Sequence, residues 1–298
     1  MTPSRRSLLA TLLLSPALLS ARAADWASLP SAWAQLEARS GGRLGVALLD
    51  TATGQTVAHR GAERFGLCST FKLLLAGAVL QAIDQGRLKA DARLPLREAD
   101  RIFHMPTTEA LMARGWATPL ELAEGAQVTS DNLAANVLLR ALGGPDGFTR
   151  WLRESGDAVT RIDRYEPEMN RVVGDDPRDT SGPEAFAASV ARLTTGTVLK
   201  PASRERLIAW MEATKTGQRR LRAGLPQGWR AGDKTGTGFH ETMPDRINDT
   251  AIFWPPKRAP WVLSCFYEGP AKSTDWVRPE DEAVLAEVAR RAARSLPA

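Results

Sequence analysis

Two hydrophobic rhythms divide this chain. Near its start, Leu44-Gly45-Val46-Ala47-Leu48-Leu49 is a short apolar run. The turn-like Thr51-Ala52-Thr53-Gly54 follows, and then residues 55–60 alternate apolar and polar, a pattern that predicts a hairpin. Near the other end, Thr250 to Trp254 and Trp261 to Tyr267 are strand-like and separated by Pro255, Pro256 and Pro260. After Pro279, Val284, Leu285, Val288, Ala292 and Leu296 recur at helical spacing.

The middle has a helical rhythm. Residues 70–85 are apolar nearly all round (Leu73, Leu74, Leu75, Ala78, Val79, Leu80, Ile83), which predicts a helix buried at the centre of a domain. Further helices are predicted over Pro119 to Ala126, Asp131 to Ala141, Phe148 to Ser155, Gly182 to Thr194 and Pro201 to Ala213. Strands from opposite ends of a chain share one antiparallel sheet only if the helical middle is an insertion. The stretch 161–180 follows neither rhythm and carries Pro167, Gly174 and Pro177. A loop of that length inside a compact domain is more often functional than idle. Arg164 and Asp179 stand near its ends and can pair to close it.

The first residues follow a third pattern. Arg5 and Arg6 precede an apolar stretch from Leu8 to Leu19, and Ala21-Arg22-Ala23 supplies a small-x-small cleavage site. Residues 1–23 therefore read as a secretory signal, and Ser4-Arg5-Arg6-Ser7-Leu8-Leu9 resembles a twin-arginine leader. The apolar stretch, interrupted by Pro16, is too short to span a bilayer. The leader's three arginines account for much of the basic balance: without them the net charge falls from +5 to +2. No run of like charges suggests a nucleic-acid track. His59, His104 and His240 lie far apart with no paired spacing, so no histidine-built metal site is expected. Cys68 and Cys265 are the only cysteines, and an exported protein could oxidise them, but sequence cannot place them within bridging distance.

Four short motifs occur in order: Ser69-Thr70-Phe71-Lys72 at the start of the buried helix, Ser130-Asp131-Asn132 before another, Glu166-Pro167-Glu168-Met169-Asn170 in the long loop, and Lys234-Thr235-Gly236 after the strand-like 229–233. Singly, each has a structural explanation: Ser69 and Ser130 as helix N-caps, Lys72 as a solvated first-turn residue, Lys234-Thr235-Gly236 as a strand ending in a turn. Jointly they point to chemistry. A serine hydroxyl is a poor nucleophile until a base takes its proton, and Lys72 lies one helical turn on, with its amine in reach. Such a lysine acts as a base only if burial or neighbouring cations depress its pKa, and Lys234 is a candidate for that influence.

Together the motifs resemble those of the class A serine β-lactamases, over essentially the whole chain after the leader. The resemblance implies an α+β fold: a five-stranded antiparallel sheet flanked by helices, built from residues 24–62 and 212–298, with an all-helical domain, 63–211, inserted and the site in the groove between them. It implies hydrolysis of the β-lactam amide of penicillins and cephalosporins, and hence antibiotic resistance, through an acyl-enzyme on Ser69. Lys72 and Lys234 flank a proton relay through Ser130, and the backbone N–H groups of Ser69 and Thr237 form the oxyanion hole. Glu166 activates the deacylating water with help from Asn170. Whether Lys72 or Glu166 is the acylation base is left open. Asn132 is expected to hold the substrate's side-chain amide. Lys234, Thr235, Gly236 and Thr237 contribute to the carboxylate site with an arginine, for which Arg220 is preferred to Arg246. His104 stands where relatives carry an aromatic wall residue. Cys68 resembles a carbapenem-hydrolysing subset, but the partner cysteine those members carry after the lysine-threonine-glycine strand is missing, so free thiols are expected. No cofactor, metal, nucleic acid or stable membrane association is implied; the enzyme is expected to be a periplasmic monomer with a small-molecule β-lactam substrate. A peptidoglycan carboxypeptidase or transpeptidase and a penicillin sensor are the competing readings, and both lack the loop glutamate.

Overall fold

The computed structural model describes residues 26–272 and 276–296; the leader reading of residues 1–23 lies outside them. The expected sheet forms, with strands β1 (Arg43–Asp50), β2 (Thr56–His59), β3 (Arg230–His240), β4 (Met243–Trp254) and β5 (Trp261–Glu268). Its order is β2-β1-β5-β4-β3, with every neighbouring pair antiparallel. Because β1 is paired on both sides and covered on both faces, it reads as a continuous apolar run with no alternation to polar residues.

Its side chains still alternate between faces. Leu44, Val46 and Leu48 enter a core with Ile247, Phe253, Leu263 and Tyr267 under helices α1 (Leu29–Ser40) and the C-terminal Pro279–Ser295. Ala47 and Leu49 enter a second core with Ile252, Val262 and Phe266. That core is completed by α2 (Phe71–Asp84), α3 (Pro119–Val128), α4 (Asn132–Ala141), α5 (Gly144–Glu154), α6 (Pro183–Thr194) and α7 (Pro201–Glu212). The C-terminal helix is α8.

Three differences from the sequence reading have physical causes. Helix α1 was not among the expected elements, although Leu29, Trp33 and Leu36 recur at helical spacing and are buried. Helix α5 begins before Phe148, at Gly144, because Gly143 takes a left-handed turn (φ 88°) and Pro145 suits a first turn. Strand β4 begins at Met243 and not at Thr250. Its first half is polar, yet Asp245, Arg246, Asn248 and Asp249 are all buried and held by specific partners, so alternation could not reveal it.

The loop 161–180 is closed as its ends suggested: Arg164 Nε lies 2.5 Å from Asp179 Oδ2. The Asp179 carboxylate also accepts the backbone N–H groups of Asp163 and Arg164, at 2.7 and 3.1 Å.

Candidate active site

The buried helix starts two residues after Ser69. Residues Cys68–Thr70 form a 3-10 turn that feeds α2 at Phe71, and Ser69 makes no side-chain cap. Its hydroxyl is left half-exposed and accepts from Lys72 Nζ at 2.8 Å. Lys72 is not solvated; it is fully buried. Its ammonium also meets Asn132 Oδ1 at 2.5 Å, the Ser130 carbonyl at 2.9 Å and Glu166 Oε1 at 3.0 Å. A charge with no exposed surface is tolerated only when its donors are all satisfied and an opposite charge is in contact, and both conditions hold here.

Ser130 is not the cap of α4 either. That role falls to Asp131, whose side chain accepts from Ala134 N at 2.8 Å. Ser130 itself adopts a left-handed backbone (φ 62°), a conformation that costs about 1 kcal/mol or more for a non-glycine residue. The turn aims its carbonyl at Lys72 and its hydroxyl at Lys234, which donates to Oγ at 3.0 Å. Glycine would adopt the turn more readily but has no hydroxyl to offer.

Lys234-Thr235-Gly236 does not end its strand; it lies in the middle of β3. Burial, and then the charge of Lys72, push the Lys234 pKa down to about 7. Gly236 lets the strand close on the Ser69 turn, since a Cβ there would stand 2.7 Å from the Leu67 carbonyl oxygen and 3.1 Å from the Thr70 nitrogen. Thr235 is buried with its hydroxyl 2.6 Å from that of Thr216, a neighbour the sequence reading did not single out.

Both candidate arginines are buried, so neither simply faces solvent. Arg220 Nη2 donates to Thr237 Oγ1 at 2.7 Å, and Nη1 donates to the carbonyls of Gly236 and Asn248 at 2.9 and 2.8 Å. Arg246 points elsewhere, to the loop carbonyls of Asn170 and Val172. Of the two candidate arginines, Arg220 is thus the one that reaches the Lys234–Thr237 stretch of β3.

From the loop, Glu166 Oε1 reaches Ser69 Oγ at 3.5 Å, while Oε2 accepts from Asn170 Nδ2 at 2.5 Å. Asn136, also absent from the sequence reading, fixes the Glu166 backbone from both sides, with Nδ2 on its carbonyl and Oδ1 under its N–H, each at 2.9 Å. Asn170 Oδ1 is buried and takes no protein donor. At the other wall, His104 is exposed with its Nε2 2.9 Å from the Thr129 carbonyl oxygen. Its own carbonyl accepts Asn132 N at 2.9 Å, and the Phe103 carbonyl accepts Asn132 Nδ2 at 2.8 Å. The Phe103 ring, 85% exposed, is a second aromatic face beside His104.

Both cysteines are free and buried. Gly238 stands across from Cys68: a Cβ there would be 2.8 Å from the sulfur, whereas Cys265 lies in mid-sheet opposite Val46 and Asp249. Burial pushes the Cys68 thiol up to about 12 and raises that of Cys265 as well. Thiol reagents are expected to react slowly with the native protein and to find both thiols after denaturation without reductant; fewer than two would reveal a bridge.

Comparison with known proteins places these residues in context. The sequence profile of the β-lactamase enzyme family matches residues 29–296. β-Lactamase L2 of Stenotrophomonas maltophilia is 43% identical over 263 residues, 88% of this chain and 84% of that protein. β-Lactamase Toho-1 of Escherichia coli is 38% identical over 278 residues, 92% of this chain and 94% of that protein. Among solved structures, an ancestral Gram-negative class A β-lactamase superposes with a TM-score of 0.83 at 49% identity, covering 90% of this chain and 100% of the other. A β-lactamase from Xanthomonas campestris gives 0.81 at 42% identity, with coverage of 89% and 96%.

Proposed function

Since the chain belongs to the class A β-lactamase family and is a hydrolase of β-lactams, we propose that Ser69 is the residue acylated and that Glu166 drives release of the acyl group. The observation that carries this reading is the buried cluster in which Lys72 touches Ser69, Glu166, Asn132 and Ser130 at once.

In this reading Ser69 Oγ attacks the ring carbonyl, and its proton passes to the Lys72–Glu166 pair, both members of which are within 3.5 Å of the hydroxyl. The backbone N–H groups of Ser69 and Thr237 hold the oxyanion that develops. Ser130 gives its proton to the departing ring nitrogen and is reprotonated from its lysine neighbours. The substrate carboxylate lies along β3 against Lys234, Thr235, Gly236 and Thr237, with Arg220 reinforcing the Thr237 hydroxyl from beneath. Asn132 meets the substrate's side-chain amide, beside His104. A water held between Glu166 and Asn170 then attacks the ester, and Glu166 takes its proton.

A chromogenic cephalosporin tests the assignment. Wild-type protein is expected to turn it over, whereas Ser69→Ala should show neither turnover nor a covalent adduct by mass spectrometry. An adduct on Ser69→Ala would place the nucleophile elsewhere.

The pH dependence follows from Lys234. Below about pH 7 its ammonium is charged in the free enzyme and attracts an anionic substrate; above that value the charge is lost. Because kcat/KM reports free-enzyme ionisations, it is expected to fall on the alkaline side with an inflection near 7. Lys234→Arg, whose guanidinium stays charged, should move that limb to higher pH. An unchanged limb in the variant would assign the ionisation to another group.

We further propose that residues 24–62 and 212–298 form one unit and 63–211 a second inserted in it, with the site in the groove between. Among the described residues no helix is long and apolar enough to cross a membrane. The leader pattern of residues 1–23 supports export to the periplasm, its Arg5-Arg6 pair supports the twin-arginine route, and we take the mature enzyme to be a monomer.

A further inference from the structure

Arg246 is a buried arginine with no part in the chemistry described above. It stands on β4 opposite Gly238 of β3 and Glu268 of β5. Its guanidinium reaches out of the sheet into the 161–180 loop: Nη2 donates to the Val172 carbonyl at 2.5 Å and Nη1 to the Asn170 carbonyl at 3.3 Å. Behind it, Nε meets Glu268 Oε1 at 3.3 Å, and Nη1 also donates to Met243 Sδ. The chain is shaped around this group. A Cβ on Gly66 would stand 2.9 Å from Nε, so any larger residue there would displace the guanidinium.

The segment it grips is the one that completes the deacylation apparatus. Residues Glu168–Asn170 form a single 3-10 turn, and the backbone N–H groups of 170, 171 and 172 are spent within the loop, on the carbonyls of Pro167, Glu168 and Asn170. Asn170 in turn holds Glu166 Oε2 through its side-chain amide. The Arg164–Asp179 pair secures the neck of the loop and Asn136 secures the Glu166 backbone, while Arg246 ties the 170–172 turn to the sheet.

We propose that Arg246 is a positioning residue for deacylation, holding the carbonyls of Asn170 and Val172 against β4 so that the Asn170 amide, and through it the Glu166 carboxylate, keeps its place over Ser69. The proposal rests on the assignment of Glu166 made above. Acylation should be the less sensitive step, because Lys72, on α2, stays against the Ser69 hydroxyl, and Lys234, on β3, against that of Ser130, without help from the loop. Deacylation should be sensitive, since a shift of about 1 Å in a positioning group costs on the order of 10²-fold in rate. Lysine cannot substitute fully: one ammonium on a flexible stem does not span two carbonyls and a carboxylate as the planar fork does.

The test measures Arg246→Gln, Arg246→Lys and Glu166→Ala in parallel with a chromogenic cephalosporin, with rates expressed per serine that mass spectrometry shows to be acylatable, so that partial unfolding does not enter. For an acyl-enzyme mechanism kcat/KM contains the steps up to acylation, and slowed deacylation lowers kcat and KM together. Arg246→Gln is expected to lose about 10- to 100-fold in kcat, with kcat/KM kept within about threefold and the acyl-enzyme visible at steady state; Arg246→Lys should lie between it and wild type. Equal losses in kcat and kcat/KM, or no loss in either variant, would overturn the proposal if Glu166→Ala accumulates acyl-enzyme in the same assay. If Glu166→Ala does not accumulate it, the assignment of Glu166 falls and takes the role of Arg246 with it.

Discussion

Glu166→Ala is expected to convert the enzyme into a stoichiometric acceptor of β-lactam, with one acyl group retained per chain and turnover reduced by about 10³-fold. The reason is the division of labour around Lys72. Removing the Glu166 side chain leaves the ammonium three acceptors, Ser69 Oγ, the Ser130 carbonyl and Asn132 Oδ1. The nucleophile therefore stays in place and the ring can still be opened. The carboxylate that accepts from Asn170 and lies 3.5 Å from Ser69 Oγ is lost, and with it the proposed acceptor for the proton of the hydrolytic water. The substitution also leaves a buried ammonium without its counter-charge, so the variant should lose about 3 kcal/mol of stability. Mass spectrometry after mixing with substrate reads the adduct, and a stopped-flow burst reads how fast it forms. A burst as fast as in wild type makes Lys72 sufficient as acylation base; a burst slowed in step with turnover gives Glu166 both roles. Unimpaired steady turnover would remove Glu166 from the mechanism altogether.

Asp131→Ala is expected to cost about 4 kcal/mol and most of the activity, although Asp131 touches neither Ser69 nor Glu166. Its fully buried carboxylate accepts Ala134 N at 2.8 Å as the cap of α4, and also Thr107 N at 2.9 Å and Thr108 N at 2.7 Å. Alanine would leave these three backbone donors without their acceptor, at about 1–3 kcal/mol each where water cannot reach, with partial relaxation lowering the sum. For a chain of this size, that predicts a fall in Tm on the order of 10 °C. The catalytic loss follows from position. Asp131 joins the 104–108 segment to the start of α4 and sits between Ser130, in its left-handed turn, and Asn132. Freed from this clamp, Ser130 should relax towards ordinary backbone angles and withdraw its hydroxyl from Lys234. Calorimetry together with kcat measured well below the melting range separates the two effects. A variant that melts lower yet keeps full kcat would show that Asp131 serves stability alone.

How much of this was legible in the chain depends on how local each signal is. The buried helix Phe71–Asp84 was legible because burial all round removes the polar stripe that surface helices keep, and its run of leucines and alanines is visible without a structure. The motif spacing was likewise local: a serine and a lysine three residues apart at a helix start must lie close together, and they do, at 2.8 Å. The first half of β4 was not legible. Its aspartates, asparagine and arginine look like a surface loop until Gly66, Leu221 and Glu268 arrive from distant parts of the chain to pair with them.

The same division runs through the site. Sequence by itself marked the candidate chemical groups, the strand-like stretches near both ends of the chain and the two residues that close the loop, Arg164 and Asp179, because each of these depends on residue type, spacing or hydrophobic period; the joining of those strands in one sheet was what the family resemblance implied. Only the tertiary structure decided how the groups are used. It made Lys72 a fully buried hub, lowered Lys234 by burial beside a second cation, sent Arg220 to Thr237 and Arg246 to the loop, and brought in Asn136 and Asp131 as supports. Direction of a side chain, burial and long-range hydrogen bonding are set by segments far apart in the chain, and no pattern within one segment encodes where the others will lie.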